Sequence, residues 1–337
     1  TKTIYLNQNY RSTGHILQVA NTLIENNRNR LEKELFTKAD IGDKAIHYTA
    51  PSEQQEAEFI CDQIERYIAQ VEGVNYCDFA IIYRANYLSR AVEQALIRRQ
   101  ISYRIFGGLK FFSRKEVKDA LSYLRLVCQN DDLALRRIIN TPARGIGVKT
   151  LSTIEKMAQE QHCSLYESLL QHLDEMPIKT SSKKALREMV AAIEKAKTSS
   201  LSVSEIFTTL IEDVGYVAML EESQQDTRIA NVLELEHSLE EYEKSQPDTA
   251  SLASYLQDIA LYTDNDTTDA GQYVSLMSIH MAKGLEFNYV FAIGLSEGIF
   301  PSIRSIQEDD DNLEEERRLA YVAFTRAKKQ LFLTDSE

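Results

Sequence analysis

Ser278-Ile279-His280-Met281-Ala282-Lys283-Gly284-Leu285-Glu286-Phe287 is a short polar run that follows a strand-like stretch, Tyr273 to Ile279, and leads into another, Tyr289 to Leu295. The pattern of strand, polar turn and strand is the unit from which an α/β sheet with a ligand edge is assembled. Working outward, the run Glu314-Glu315-Glu316-Arg317-Arg318-Leu319-Ala320-Tyr321-Val322-Ala323-Phe324-Thr325-Arg326-Ala327-Lys328-Lys329 precedes a third strand-like stretch, Gln330 to Thr334. Far upstream, Gln8-Asn9-Tyr10-Arg11-Ser12 follows the apolar run Thr3 to Leu6. Three polar clusters so distant in sequence suggest one nucleotide-facing surface assembled by folding. No glycine-rich loop ending in Gly-Lys-Ser or Gly-Lys-Thr occurs in the sequence, so the chain reads as one wall of a nucleotide site whose other wall is supplied elsewhere.

Between its ends the chain changes texture. Up to about Phe112, strand-like runs (Ala45 to Tyr48, Phe79 to Tyr83, Tyr103 to Phe106) alternate with helical ones (Ser12 to Asn26, Ser52 to Val71, Asn86 to Arg99). Ser12 and Ser52 stand where helix N-caps are expected. From Ser113 to Tyr262 only three glycines and three prolines occur and no strand pattern is evident. Leu186, Met189, Val190 and Ile193 form one apolar helical stripe; Val232, Leu235, Leu239 and Tyr242 form another. Polar Thr263 to Gly271 reads as an exit linker. The expected fold is therefore α/β, a parallel sheet domain (residues 1–115 and 271–337) interrupted by an inserted all-α domain (residues 116–270). Insertion at a surface loop leaves the host core intact.

The bulk numbers fit that picture. At 337 residues the chain is long enough for two cores. No apolar stretch approaches the ~18 residues of a membrane span, and residue 1 is Thr, which fits an excised fragment without a signal peptide. The four cysteines are scattered, as free thiols of a reducing cytoplasm are. Net charge is −13, and seven acidic residues lie within Glu308 to Glu316, a run that reads as a solvated loop. Glu314 and Arg318, four apart, fit a stabilised helical turn at its end. Basic residues cluster elsewhere, at Arg98–Arg99, at Lys110 to Lys118 and at Arg136 to Lys149, so net charge neither supports nor excludes local phosphate contacts.

Ligands of open α/β sheets bind beyond the carboxyl ends of the strands, and both Arg11 and the Lys283 to Glu286 run follow strand-like stretches. Arginine suits a terminal phosphate, because its planar guanidinium donates paired hydrogen bonds and stays charged. Gly107-Gly108 with Lys110, Phe111, Phe112 and Arg114 combines backbone donors, cations and aromatic faces, the means of gripping a single nucleic-acid strand; the same residues also fit a turn followed by two core phenylalanines. Gly145-Ile146-Gly147-Val148-Lys149-Thr150 mimics a phosphate loop, but Val148 separates glycine from lysine and the spacing fails. His280 has no second His or Cys at ligand spacing, so no metal site is expected.

Taken in order, these motifs closely resemble the C-terminal half of superfamily 1A DNA helicases, the UvrD/PcrA/Rep group, and its PcrA-type members most of all. The resemblance runs through Gln8 to Thr13, Phe106 to Glu116, Asn140 to Gly147, His280 to Phe287, Glu297-Gly298-Ile299-Phe300-Pro301 and Glu314 to Lys329, nearly the whole chain. It implies a RecA-like domain (2A) interrupted by a helical domain (2B) in an ATP-dependent 3′–5′ DNA helicase of repair or replication. It further implies that Tyr10 stacks on adenine, that Arg11 and Arg326 contact the γ-phosphate and act catalytically, that Glu286 bonds the ribose, and that Gly284 admits the nucleotide. A half-buried Tyr10 and a Glu286 paired to a local Lys or Arg are the structural alternatives. Arg144, Gly145 and Gly147 resemble the turn of a helix-hairpin-helix element that holds a duplex phosphate, and His280 would couple nucleotide to DNA. The implied ligands are ATP with Mg2+, whose acidic ligands belong to the N-terminal helicase domains, and single-stranded and junction DNA; repair or replication proteins are further partners. Without the phosphate-loop half the fragment is expected to be inactive. Ser278 keeps a hydroxyl near the family's usual Thr, and Met281 stands where Ala is common. A different class of reading, a non-catalytic module docking duplex DNA or protein through the helical domain, is compatible with the same residues.

Overall fold

A computed structural model describes residues 7–28, 35–264, 272–308 and 310–337. The chain divides into two compact units: Thr1–Lys110 together with Asn265–Glu337, and Phe111–Asp264.

The first unit is built on a six-stranded, wholly parallel sheet. Two two-residue strands, β1 (Gln8–Asn9) and β2 (Phe36–Thr37), pair with each other outside it. The main sheet comprises β3 (Ile46–Ala50), β4 (Phe79–Tyr83), β5 (Tyr103–Phe106), β6 (Val274–Ser278), β7 (Phe287–Ala292) and β8 (Ala327–Ser336). Their order is β3-β8-β7-β4-β6-β5, so strands from the two ends of the chain interleave. Parallel strands need crossovers and are covered on both faces, which is why β4 is buried at all five positions and reads as a continuous apolar run.

Alternation sorts side chains between the two faces. Phe79, Ile81 and Tyr83 pack with Val274, Leu276 and Phe291 beneath the helices Glu53–Gln70 and Ser89–Arg98. Ala80 and Ile82 pack with Met277, Val290 and Ala292 on the opposite face, with Ile16 and Ala20 of helix Gly14–Ile24 and Ala320, Ala323 and Phe324 of helix Asp310–Phe324. Stacked rings reinforce the first face: the centroids of Phe291 and Phe332 are 4.3 Å apart and those of Phe79 and Tyr289 are 4.8 Å apart. Truncating a fully buried ring such as Phe291 to Ala costs about 3–5 kcal/mol.

Several expectations shift. The apolar run Thr3 to Leu6 lies outside the described residues. Ser52 caps its helix, its hydroxyl accepting from the Gln55 amide at 3.3 Å. Ser12 does not cap: the capping position is Thr13, and the buried Ser12 hydroxyl donates to the Ala327 carbonyl at 2.7 Å. The acidic run is not a loop, since residues 310–316 open the helix Asp310–Phe324. Glu314 and Glu316 are buried there, paired with Arg318 at 3.1 Å and with Arg84 at 2.9 Å.

The second unit holds nine helices among the described residues and no strand, from Lys115–Cys128 to Leu252–Asp264. Ser164 and Ser202 open their helices with capping boxes closed by Glu167 and Glu205. Both apolar stripes read from the sequence, Leu186/Met189/Val190/Ile193 and Val232/Leu235/Leu239/Tyr242, are buried in its core. Most of the expected linker (265–271) lies outside the described residues. No helix among them is long and apolar enough to cross a membrane.

Candidate nucleotide and nucleic-acid site

Asn9 begins the first cluster. Its side-chain oxygen accepts from the amides of Arg11 at 2.7 Å and Ser12 at 2.9 Å, turning the chain sharply after β1. The turn is tied to residues more than 300 positions away, through the Ser12–Ala327 bond and a Thr13 amide to Lys328 carbonyl bond of 3.1 Å. Arg11 is thereby carried to Arg326. The Arg11 guanidinium donates to the Thr325 carbonyl at 3.3 Å and pairs with Glu286 at 2.7 Å. Arg326 donates to the Val322 carbonyl at 2.9 Å, the Leu285 carbonyl at 3.1 Å and the Thr325 hydroxyl at 3.2 Å. Lys328 reaches the other oxygen of Glu286 at 2.6 Å. Residues 11, 286, 326 and 328 are one constellation.

Its electrostatics are cationic. Three cations surround one carboxylate. Hydrogen bonds from Arg11 and then Lys328 hold the Glu286 carboxyl down at about 2, so it stays ionised. Arg326 is pushed below the ordinary arginine range, first by partial burial and then by the neighbouring Arg11 charge. Like charges held together and partly desolvated are relieved by an anion, and two guanidinium planes suit the oxygens of a polyphosphate. Tyr10, beside Arg11, is 84% exposed, so its ring face is open for stacking rather than packed into the protein. Gly284 has a φ of +93° and is exposed; a side chain there would meet nothing within 4 Å, so the glycine answers a backbone requirement rather than a lack of space.

Glu286 and Arg326 do not lie beyond strand carboxyl ends: they immediately precede β7 and β8 and flank the amino edge of the sheet. The reason is local. After β6 the chain enters a short helix, Ile279–Ala282, whose Ile279 and Ala282 are buried in the sheet's second face, and travels back along that face before β7 starts. Glu286 also has both oxygens committed to Arg11 and Lys328, the paired alternative rather than an open ribose acceptor. Lys328 escaped the sequence reading. Its signal was its spacing of two from Arg326 at the start of a strand, where alternate residues share a face.

At the opposite, carboxyl edge lie Gly107, Gly108 and His280, all exposed. Gly107 has a φ of +73°, and a Cβ there would stand 2.6 Å from the Met281 Cγ. Met281 therefore packs directly on Gly107 and joins this turn to the His280 helix. Lys110 lies over the Tyr103 ring, 5.7 Å from its centroid.

Three other candidate side chains face inward. Phe111 is fully buried in the helical unit, edge-on to Phe112 with centroids 5.1 Å apart. Arg114 is buried over the Phe111 ring and donates to the Asn231 side chain at 2.9 Å. Arg144 is buried too. Its guanidinium donates to the Tyr123 hydroxyl at 2.8 Å and to the carbonyls of Ile138 at 3.0 Å and Val214 at 3.3 Å. These groups hold the helical unit together from within and are not presented to a strand of DNA. Gly145 and Gly147 are exposed, and Gly147 caps the helix Val148–Gln161.

The UvrD-like helicase C-terminal domain model matches residues 4–337 of this chain. The chain belongs to that family. The ATP-dependent DNA helicase PcrA of Staphylococcus epidermidis is 40% identical over 346 residues, covering 99% of this chain and 47% of that protein. PcrA of Staphylococcus aureus is 39% identical over 343 residues, covering 98% of this chain and 46% of its own length. The chain thus spans about half the length of the curated relatives it matches. As a UvrD-like C-terminal domain, it carries Arg11, Glu286 and Arg326 on one edge of its sheet and Gly107, Gly108 and His280 on the other, with residues 279–286 running between them.

Proposed function

We propose that this chain forms the second wall of the ATP site, and part of the DNA track, of an ATP-dependent DNA helicase that moves 3′ to 5′ on a single strand in repair or replication. The observation that carries the reading is the convergence of Arg11 and Arg326 on Thr325, with Lys328 alongside. Arg11 and Arg326 neutralise the charge that accumulates on the γ-phosphate, an effect worth ~10³ to 10⁵ in rate for phosphoryl transfer. Glu286 keeps the cations apart and oriented until phosphate oxygens compete for them; an oxygen then released can accept from the ribose. Tyr10 offers its face to the adenine. The donor set suits a polyphosphate rather than a divalent ion, so the Mg2+ accompanying ATP is held by acidic residues of the N-terminal helicase domains, which also bring the phosphate-loop lysine.

The DNA side of the reading rests on the other edge. Exposed Gly107, Gly108 and His280 with Lys110 provide backbone donors and cations for single-strand phosphates, and exposed Gly145 and Gly147 form a helix-capping turn suited to a duplex phosphate at a junction. Residues 279–286 connect the two edges directly, giving a route by which nucleotide occupancy shifts His280 and Gly107. Joining this chain to a family N-terminal domain should restore DNA-stimulated ATP hydrolysis, and Arg326→Ala should then remove at least ~10³ of the turnover. Full turnover in that variant would refute the phosphate assignment. For the duplex contact, affinity for a hairpin DNA should fall steeply with salt; absence of any duplex binding in low salt would discard the Gly145–Gly147 proposal.

A further inference from the structure

Arg104 of the sheet unit lies against aromatic rings. It is exposed on the edge strand β5, and among the described residues no carboxylate pairs with it. Arg84, Arg90, Arg98 and Arg99 are all ion-paired, Arg99 with three carboxylates at once. The Arg104 guanidinium carbon lies over two rings, 5.6 Å from the centroid of Phe106 and 5.6 Å from that of Tyr273. The rings are half-buried and tilted at 42° with centroids 6.1 Å apart, forming a shallow aromatic floor.

Register explains the arrangement. Arg104 and Phe106 are two apart on β5 and share a face, and Tyr273 immediately precedes β6, whose Val274 pairs with Tyr103. The two rings support the guanidinium carbon, and the arginine remains exposed to solvent. A planar cation supported in this way is a surface on which an unpaired base stacks. The exposed Gly107 and Gly108 follow β5 immediately.

We propose that Arg104, laid across Phe106 and Tyr273, is a stacking platform for one unpaired base of a single DNA strand, with the phosphate beside that base directed to the Gly107–Gly108 turn. The inference rests on the DNA-tracking reading above and adds to it where a base, rather than the backbone, is held. A base on this platform contributes independently of its identity, because every base has a π face, and its contribution is nearly independent of salt.

The test uses the chain as it stands and a fluorescently labelled oligothymidylate, compared with an abasic oligomer of equal length, by anisotropy across a salt series. The chain should prefer the oligothymidylate. Arg104→Lys keeps the charge but loses the plane, and Tyr273→Ala removes half of the floor. Each should lower affinity for oligothymidylate by about 5- to 100-fold, leave affinity for the abasic oligomer close to its original value, and preserve the salt slope. Unchanged binding of both oligomers by both variants would overturn the platform while leaving the DNA track intact, as would equal affinity of the unaltered chain for the two oligomers; a platform serving a protein partner instead gives the first of these results. A failure of the unaltered chain to bind either oligomer in low salt would overturn the tracking reading itself, and the platform with it.

Discussion

Arg144→Ala separates two physical accounts of the same motif. A solvent-facing arginine beside a glycine turn would be a phosphate ligand, and its loss would weaken DNA binding without touching stability. The structure places the guanidinium inside the helical unit, with bonds to the Tyr123 hydroxyl at 2.8 Å, to the Ile138 carbonyl at 3.0 Å, and to the Pro142 and Val214 carbonyls at 3.3 Å each. Burial pushes the Tyr123 phenol up to about 12 even beside that cation, so it keeps its proton and donates to the Thr141 carbonyl at 2.6 Å. Removing the guanidinium orphans two or three buried acceptors, each costing about 1–3 kcal/mol, for a loss near 3–5 kcal/mol after partial relaxation. In a unit of this size that corresponds to a fall of roughly 6–20 °C in melting temperature. Thermal and urea melts followed by far-ultraviolet circular dichroism read the loss directly, and Arg144→Lys, with a compact charge in place of a fork, should recover less than half of it. A stable Arg144→Ala variant, losing under about 1 kcal/mol while its duplex affinity collapses, would contradict a buried structural role for this guanidinium.

Gly107→Ala forces a side chain into positive φ and onto Met281, and should cost about 2–3 kcal/mol by urea denaturation; adding Met281→Ala should return the steric share but leave about 1 kcal/mol of backbone strain. No recovery in the double variant would show that Met281 does not pack there. Glu286 titrates at about 2 in the folded chain against about 4.3 unfolded, so its ion pairs contribute in full above the unfolded value and are lost as pH falls from there towards 2. A carboxyl-carbon NMR midpoint for Glu286 near the unfolded value would contradict the Arg11 and Lys328 contacts. Burial pushes the Cys61 thiol up to about 12, whereas Cys77 is exposed. A thiol reagent at neutral pH should therefore modify Cys77 in the native chain and reach Cys61 only on unfolding; equal rates, followed by mass spectrometry, would show the helix Glu53–Gln70 to be open.

Much of the architecture was legible because it is written in local patterns. Phe79–Tyr83 and Tyr103–Phe106 are strands at the bounds their β-branched and aromatic content indicated, and the two stripes of the helical unit lie in its core as their spacing required. Legibility failed where partners are remote. Nothing near Ser12 announces that its hydroxyl is taken by Ala327, and nothing in an acidic run announces that Glu316 is buried against Arg84. Phe111, Arg114 and Arg144 have the composition of a nucleic-acid grip and the burial of a core, and composition alone does not distinguish them.

Periodicity and ordered motifs survive in one dimension, so the family, the alternation of strands and helices, and the two arginines of the site were legible there, whereas Lys328 was not. Which edge of the sheet carries them is set only when the chain folds. The Ile279–Ala282 turn runs the chain back along a sheet face, so residues that follow β6 in sequence arrive at the amino ends of β7 and β8. A reversal of that kind depends on where apolar side chains find room against a sheet built from both ends of the chain, and that surface does not exist until the chain has folded.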